Sequence, residues 1–346
     1  MQRLLRGRFL YWTLSILVLV LYVWTWSGGP LPFPPSMPQH RLNDSLTLWP
    51  EELNRAFLQR VLTQQPQLAL AVVVLALFSV GMGLGGLLMA GWGVWTGRMR
   101  SVWRFRSRRL PRWSFGELGR IAILTVLVAS LMPFVRLAAI AVQLWWAIDT
   151  HVWLTVSMLF LDAFVILTVL TFATAKGRSV RKTLGFSTRH LSRSVFMGLR
   201  GYVAIFPWLF ILLYLITEFI RMMHLQPPLE PIHELIFQEQ RPHVLALTIF
   251  LACVVGPMAE EFFFRGIVYT TIRQKLSRGA AMLISGALFA LVHSNAVGFL
   301  PIMVLGCLLA HLYERTGSLA SPLAIHILHN TFLMSTALVF RQLTPL

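Results

Sequence analysis

Three short stretches near the C-terminal end hold the side chains able to do hydrolytic chemistry. The first is Ala259-Glu260-Glu261-Phe262-Phe263-Phe264-Arg265-Gly266. On a helix, Glu261 and Arg265 lie four residues apart, share a face and can pair. Glu260 then points about 100° away from Glu261 and is left to face something else. The second stretch, Phe289-Ala290-Leu291-Val292-His293, places an aromatic ring beneath an imidazole at the same spacing. The third, His326-Ile327-Leu328-His329-Asn330, projects His326 and Asn330 together, with His329 three residues from His326. A carboxylate with an imidazole can take a proton from water. A second imidazole and a carboxamide can donate hydrogen bonds to a tetrahedral oxyanion. The same donors, Glu260, His293 and His326, can instead ligate one divalent metal such as zinc. There is no H-E-x-x-H and no G-x-S-x-G, so neither a zincin site nor a serine elbow is present.

The elements that must carry these residues are membrane helices. Of 346 residues, 56% are hydrophobic and 12% are charged, about half the charge of a soluble domain. A soluble fold has no surface for so much apolar material, whereas lipid accepts it. Apolar runs predict an all-α, polytopic transmembrane bundle of eight or nine helices. They cover Phe9 to Trp26, Leu68 to Trp95, Ile121 to Val142, Val152 to Ala175, Tyr202 to Ile220, Val244 through Glu260 and Glu261, Ala280 to Val297, Phe299 to Tyr313 and Leu323 to Phe340. The first is too long and too rich in tryptophan for a cleaved signal peptide. The sixth is expected to reach Glu260 and Glu261 close to its cytoplasmic end. Gly81, Gly83, Gly85 and Gly86 predict close helix approach in the second run.

The net charge of +17 falls between these runs. Seven arginines from Arg98 to Arg112, and a second group from Lys176 to Arg193, read as cytoplasmic loops against anionic lipid headgroups. No separate basic domain exists, which argues against a nucleic-acid partner. Residues 28–67 and 221–243, both containing prolines, read as extracytoplasmic. Cys253 and Cys307 lie inside apolar runs and form no CxxC, so they read as small buried side chains. Intramembrane ionisable groups concentrate in residues 244–340, the expected catalytic core, while residues 1–240 form an N-terminal membrane region. Asp162 and Arg136 carry no assigned role.

Glu-Glu-x-x-x-Arg at 260–265, Phe-x-x-x-His at 289–293 and His-x-x-x-Asn at 326–330, in that order, resemble the three motifs of the CPBP family. That family comprises CAAX proteases and bacteriocin-processing enzymes, including type II CAAX prenyl proteases. The resemblance spans about residues 244–340. It implies an intramembrane endopeptidase acting on a membrane-anchored or lipidated protein. Glu260 would activate water assisted by His293, His326 and Asn330 would stabilise the oxyanion, and Glu261 and Arg265 would orient the site. It leaves metal use open, and His329 has no place in the motif. An arginine-rich, lysine-poor composition points to a GC-rich bacterial source, hence a bacterial inner membrane and a substrate other than a prenylated one.

Two other functions compete. A proton- or metal-linked transporter would use Glu260, His293 and His326 as a relay, but no pair of corresponding interrupted helices marks two halves. An inactive scaffold would have lost motif positions, and every one is filled. The protease reading requires that three separate helices bring Glu260, His293 and His326 to one point.

Overall fold

A computed structural model describes residues 8–26, 65–96, 110–175, 179–185, 191–224, 231–293, 295 and 297–343. These residues form helices and no strand. The helices are α1 (Arg8–Trp26), α2 (Pro66–Trp95), α3 (Phe115–Ala141), α4 (Trp145–Ile148), α5 (Thr150–Thr174), α6 (Val180–Leu184), α7 (Leu191–Met222), α8 (Pro231–Gln238), α9 (Pro242–Arg273), α10 (Arg278–Val292), α11 (Phe299–Thr316) and α12 (Ala320–Leu343). The chain is an all-α polytopic membrane protein. Six described helices, α2, α3, α5, α7, α9 and α12, are long and apolar enough to cross a bilayer. A total of nine requires adding the shorter α1, α10 and α11. The proline-rich segment and the arginines from Arg98 to Arg109 lie outside the described residues, as do Lys176, Arg178 and Arg189.

Two boundaries differ usefully from the apolar runs. Helix α7 starts at Leu191, well before Tyr202, because its first turns bury Ser194 and Gly198 against α12 despite Arg193 and Arg200. Helix α9 continues to Arg273, thirteen residues beyond Glu260. Glu260 therefore lies deep within the helix and not near its cytoplasmic end. The extension holds because buried Glu314 of α11 accepts from Tyr269 Oη at 2.7 Å and pairs with Arg273 Nε at 3.3 Å. Arg278 Nε of α10 is 3.4 Å from the same carboxylate. One buried anion thus ties three helices together beside the site.

Helix starts follow local chemistry. Ser114 and Glu117 form a reciprocal capping box at α3. Asp149 caps α5 through Val152 N at 3.0 Å, and Ser277 caps α10. Close approach is selective. A Cβ on Gly86 would lie 2.4 Å from Val203 O of α7, while Gly81 and Gly83 meet nothing within 4 Å. Only Gly85 and Gly86 of the four glycines therefore serve the α2–α7 contact. The tighter case is α10 against α11. A Cβ on Gly286 would meet Met303 O at 2.8 Å, and one on Gly306 would meet Gly286 Cα at 3.0 Å. Two facing glycines bring these backbones together and expose a carbonyl to the site.

At the opposite end from Glu314, Arg241 binds Asp149 at 2.7 Å and Glu239 at 2.7 Å. Arg341 of α12 donates to Ile236 O at 2.9 Å and to the Glu239 carbonyl. This clamp joins the start of α5 to the start of α9. Hydrogen bonding to Arg241 holds the carboxyls of Asp149 and Glu239 down at about 2, from ordinary values of 3.8 and 4.5. Depressed carboxyls stabilise the fold fully above their unfolded values and lose that contribution as pH falls through the folded ones. Thermal stability in detergent should therefore drop between about pH 4.5 and pH 2. Arg241→Gln should remove most of that dependence. An unchanged pH profile in the variant would contradict the assignment.

Candidate functional site

The site is built on an irregular helix. Within α9, Leu251–Val255 and Glu261–Tyr269 are π-helical, with α-helical Gly256–Glu260 between them. Such wide turns occur often at functional sites. Here the first has a visible cause. Gly256 N bonds back to Leu251 O, five residues away. The next carbonyl in that pattern, Ala252 O, would need the N–H of residue 257, which is proline and has none. Asn330 of α12 supplies the donor instead, with Nδ2 at 2.9 Å from Ala252 O. The carboxamide thus spends one hydrogen on closing a gap that Pro257 opens, and its second remains to be used.

Glu261, Arg265 and His326 form the buried half of the site. Their side chains are 0%, 1% and 2% exposed. Arg265 Nη1 lies 2.8 Å from Glu261 Oε1. Arg265 Nη2 donates to Gly306 O at 3.2 Å, the carbonyl that the glycine contact delivers. The guanidinium carbon stands 4.4 Å from the centre of the Phe289 ring, a cation–π contact strengthened by the absence of water. His326 Nδ1 is 2.9 Å from Glu261 Oε1. A carboxylate paired with arginine only accepts, so Nδ1 carries the hydrogen. His326 Nε2 is thereby aimed at Glu260 Oε2, 3.5 Å away.

Glu260 and His293 form the accessible half, at 30% and 27% exposure. His293 caps the C-terminal end of α10, which stops at Val292 and not at Val297. Its Nδ1 lies 2.8 Å from Phe289 O. A carbonyl cannot donate, so Nδ1 bears the hydrogen, and the neutral ring presents a lone pair at Nε2. That atom is 3.9 Å from Glu260 Oε1. Phe289 packs edge-on to both imidazoles, at 4.7 Å from His293 and 5.6 Å from His326. Glu260 Oε2 has no hydrogen-bond donor among the described residues although it is shielded from solvent. Helices α9, α10 and α12 thus bring Glu260, His293 and His326 together around one carboxylate. Two ring nitrogens flank a carboxylate beyond direct hydrogen-bond reach, an arrangement suited to small polar groups held between them.

His329 faces elsewhere. Its Nδ1 is 2.8 Å from Tyr202 Oη on α7, so this histidine docks an N-terminal helix onto α12. The Gly286–Gly306 approach and the hydrogen bond from Asn330 to Ala252 O are contributions that motif spacing does not display. Glycine at 286 and 306 hints at packing, but its partner is set by the tertiary contact. Among the described residues, no group of three or more histidine, cysteine, aspartate or glutamate side chains is disposed to hold a metal ion. The suggested ligands Glu260, His293 and His326 do not satisfy that geometry.

Residues 242–332 match the family model for type II CAAX prenyl endopeptidase Rce1-like proteins. The chain is similar to YdiL of Bacillus subtilis (strain 168), whose name assigns it provisionally to the membrane peptidases. Identity is 34% over 99 residues, covering 29% of this chain and 38% of YdiL. It is also similar to the membrane-embedded CAAX protease MroQ of Staphylococcus aureus (strain USA300). Identity there is 29% over 108 residues, covering 29% of this chain and 42% of MroQ. The chain spans about two fifths of the length of these curated relatives. No solved structure matches the chain.

Proposed function

We propose that this chain is an intramembrane endopeptidase that hydrolyses a peptide bond in a membrane-anchored or lipidated protein of a bacterial cytoplasmic membrane. Residues 244–340 carry the chemistry, and residues 1–240 frame it. The observation that carries the reading is the convergence of Glu260 with His293 Nε2 at 3.9 Å and His326 Nε2 at 3.5 Å, inside the stretch similar to CAAX endopeptidases. Intramembrane charge is costly, by about 2.5–3.5 kcal/mol per residue on insertion scales, and marks function by default.

Glu260 takes one proton from water as the oxygen attacks the scissile carbonyl, and the lone pair on His293 Nε2 accepts from the other. The oxyanion that forms receives a hydrogen bond from the second Nδ2 hydrogen of Asn330 and from Nε2 of His326 when that atom is protonated. The C–N bond then breaks, and Glu260 returns its proton to the leaving amine. Glu261 and Arg265 touch no reacting atom. They hold His326 in one orientation, and Phe289 supports both rings.

The test uses purified protein in detergent with a panel of membrane-anchored peptides, read by mass spectrometry. Glu260→Ala and His293→Ala should each abolish product formation. Full cleavage by both variants would end the reading, as would flux across liposomes that needs these residues without any proteolysis. Product formation in the presence and absence of a strong chelator decides the metal question in the same assay.

A further inference from the structure

Asp162 stands alone. It is the single acidic residue of apolar α5, near the middle of the helix. Its carboxylate makes no hydrogen bond or ion pair with any described residue. Such a group at membrane depth is expensive and usually faces a polar route or a ligand. Its surroundings show where it faces. The Asp149–Arg241 pair and the Thr155 Oγ1–Thr248 Oγ1 contact of 2.7 Å lock α5 in register with α9. Seven residues past Thr155 and eight past Thr248, this register sets Asp162 beside Gly256. Oδ2 lies 3.6 Å from where a Cβ on Gly256 would be. Gly256 and Glu260 are one turn apart on one face of Gly256–Glu260, and the two carboxylates interact electrostatically. Beside Asp162 on α9, the Gly256 N–H is engaged by Leu251 O and Pro257 has no N–H to offer.

A substrate brings donors to this place. A peptide opened for hydrolysis within lipid loses its helical hydrogen bonds, and each unpaired N–H then needs an acceptor. We propose that Asp162 is a substrate-binding residue of this site, accepting a hydrogen bond from a donor of the substrate next to the scissile bond, either a backbone N–H or a basic side chain. The proposal rests on the endopeptidase reading. It adds a group from α5, outside residues 242–332, which match the CAAX endopeptidase family. Substrate choice would then come partly from the N-terminal helices.

The experiment measures binding of the full chain in detergent on a Glu260→Gln background, so that no turnover intervenes. The probe is a labelled synthetic peptide with one apolar membrane segment and a lysine in each polar flank. One series carries a single N-methyl group at successive backbone positions, and the other replaces each lysine by glutamine. With Asp162 intact, one modification should weaken binding by about tenfold or more, the scale of a charge-assisted hydrogen bond. In Asp162→Ala that same modification should have no further effect. Asp162→Asn keeps one acceptor oxygen and should preserve sensitivity to N-methylation while losing sensitivity to lysine. The two donor sources are thereby separated, and the isosteric variant carries the test should the alanine variant misfold. Equal losses for every peptide with and without Asp162 overturn the proposal. So does unchanged binding accompanied, with Glu260 restored, by a uniform fall in kcat, which would place Asp162 with the water. Binding is read whether or not the peptide is cut, so a failed proposal and a failed endopeptidase reading give different results.

Discussion

Glu260→Gln should reduce turnover of a membrane-anchored peptide by about 10²–10⁴-fold, the usual contribution of a positioned general base, while the protein keeps its fold. Glutamine has the same shape but cannot take a proton from water. The fold should survive because Glu260 Oε2 has no hydrogen-bond donor to lose among the described residues, and the nearest imidazole nitrogens lie at 3.5 Å and 3.9 Å. Thermal unfolding in detergent alongside single-turnover cleavage separates the two effects. Wild-type turnover in the variant would remove Glu260 from the chemistry. A collapse in thermal stability would show instead that it is structural.

The neighbouring residue should fail in the opposite way. Arg265→Leu strands the fully buried Glu261 without its cation, and breaking a buried pair from one side costs about 3–5 kcal/mol. That is a large part of the stability of an ordinary domain, about 5–15 kcal/mol. It also removes the bond to Gly306 O and the contact over Phe289. The expected result is low yield and early unfolding, with the damage appearing in the thermal melt. Arg265→Lys should rescue little, because an ammonium cannot span Glu261, Gly306 and the ring as a planar guanidinium does. The informative control is Glu261→Leu with Arg265→Met, which removes both charges. It should be more stable than Arg265→Leu alone, since replacing a whole pair with apolar groups is often neutral. A single variant that melts like the wild type would show that the pair contributes no net stability.

Much of the site was legible from spacing. Residues four apart on a helix meet, so Glu261 with Arg265 and Phe289 with His293 could be read directly. Both contacts are present, at 2.8 Å between charged atoms and 4.7 Å between rings. Apolar runs located the helices because a segment that spans lipid must be a long apolar run. What could not be read depended on partners far along the chain. The start of α7 at Leu191 needs the surface of α12. The π-helical turn at Leu251–Val255 needs Asn330, 78 residues from Ala252, to satisfy the carbonyl that Pro257 leaves without a donor. Spacing joined His326 to Asn330 on one face, but not His326 to Glu261, 65 residues apart.

The sequence by itself determined that this chain lives in a membrane, that its apolar runs form helices, and which few polar groups sit at depth. Composition and local periodicity suffice for that, because lipid leaves the backbone one way to satisfy its own hydrogen bonds within a single segment. The tertiary structure alone decided which of two adjacent glutamates is buried with an arginine and which stays accessible between two imidazoles. It also decided that a lone aspartate from α5 reaches the same face. Those choices are made by glycine contacts and long-range hydrogen bonds between helices, and no local period encodes them.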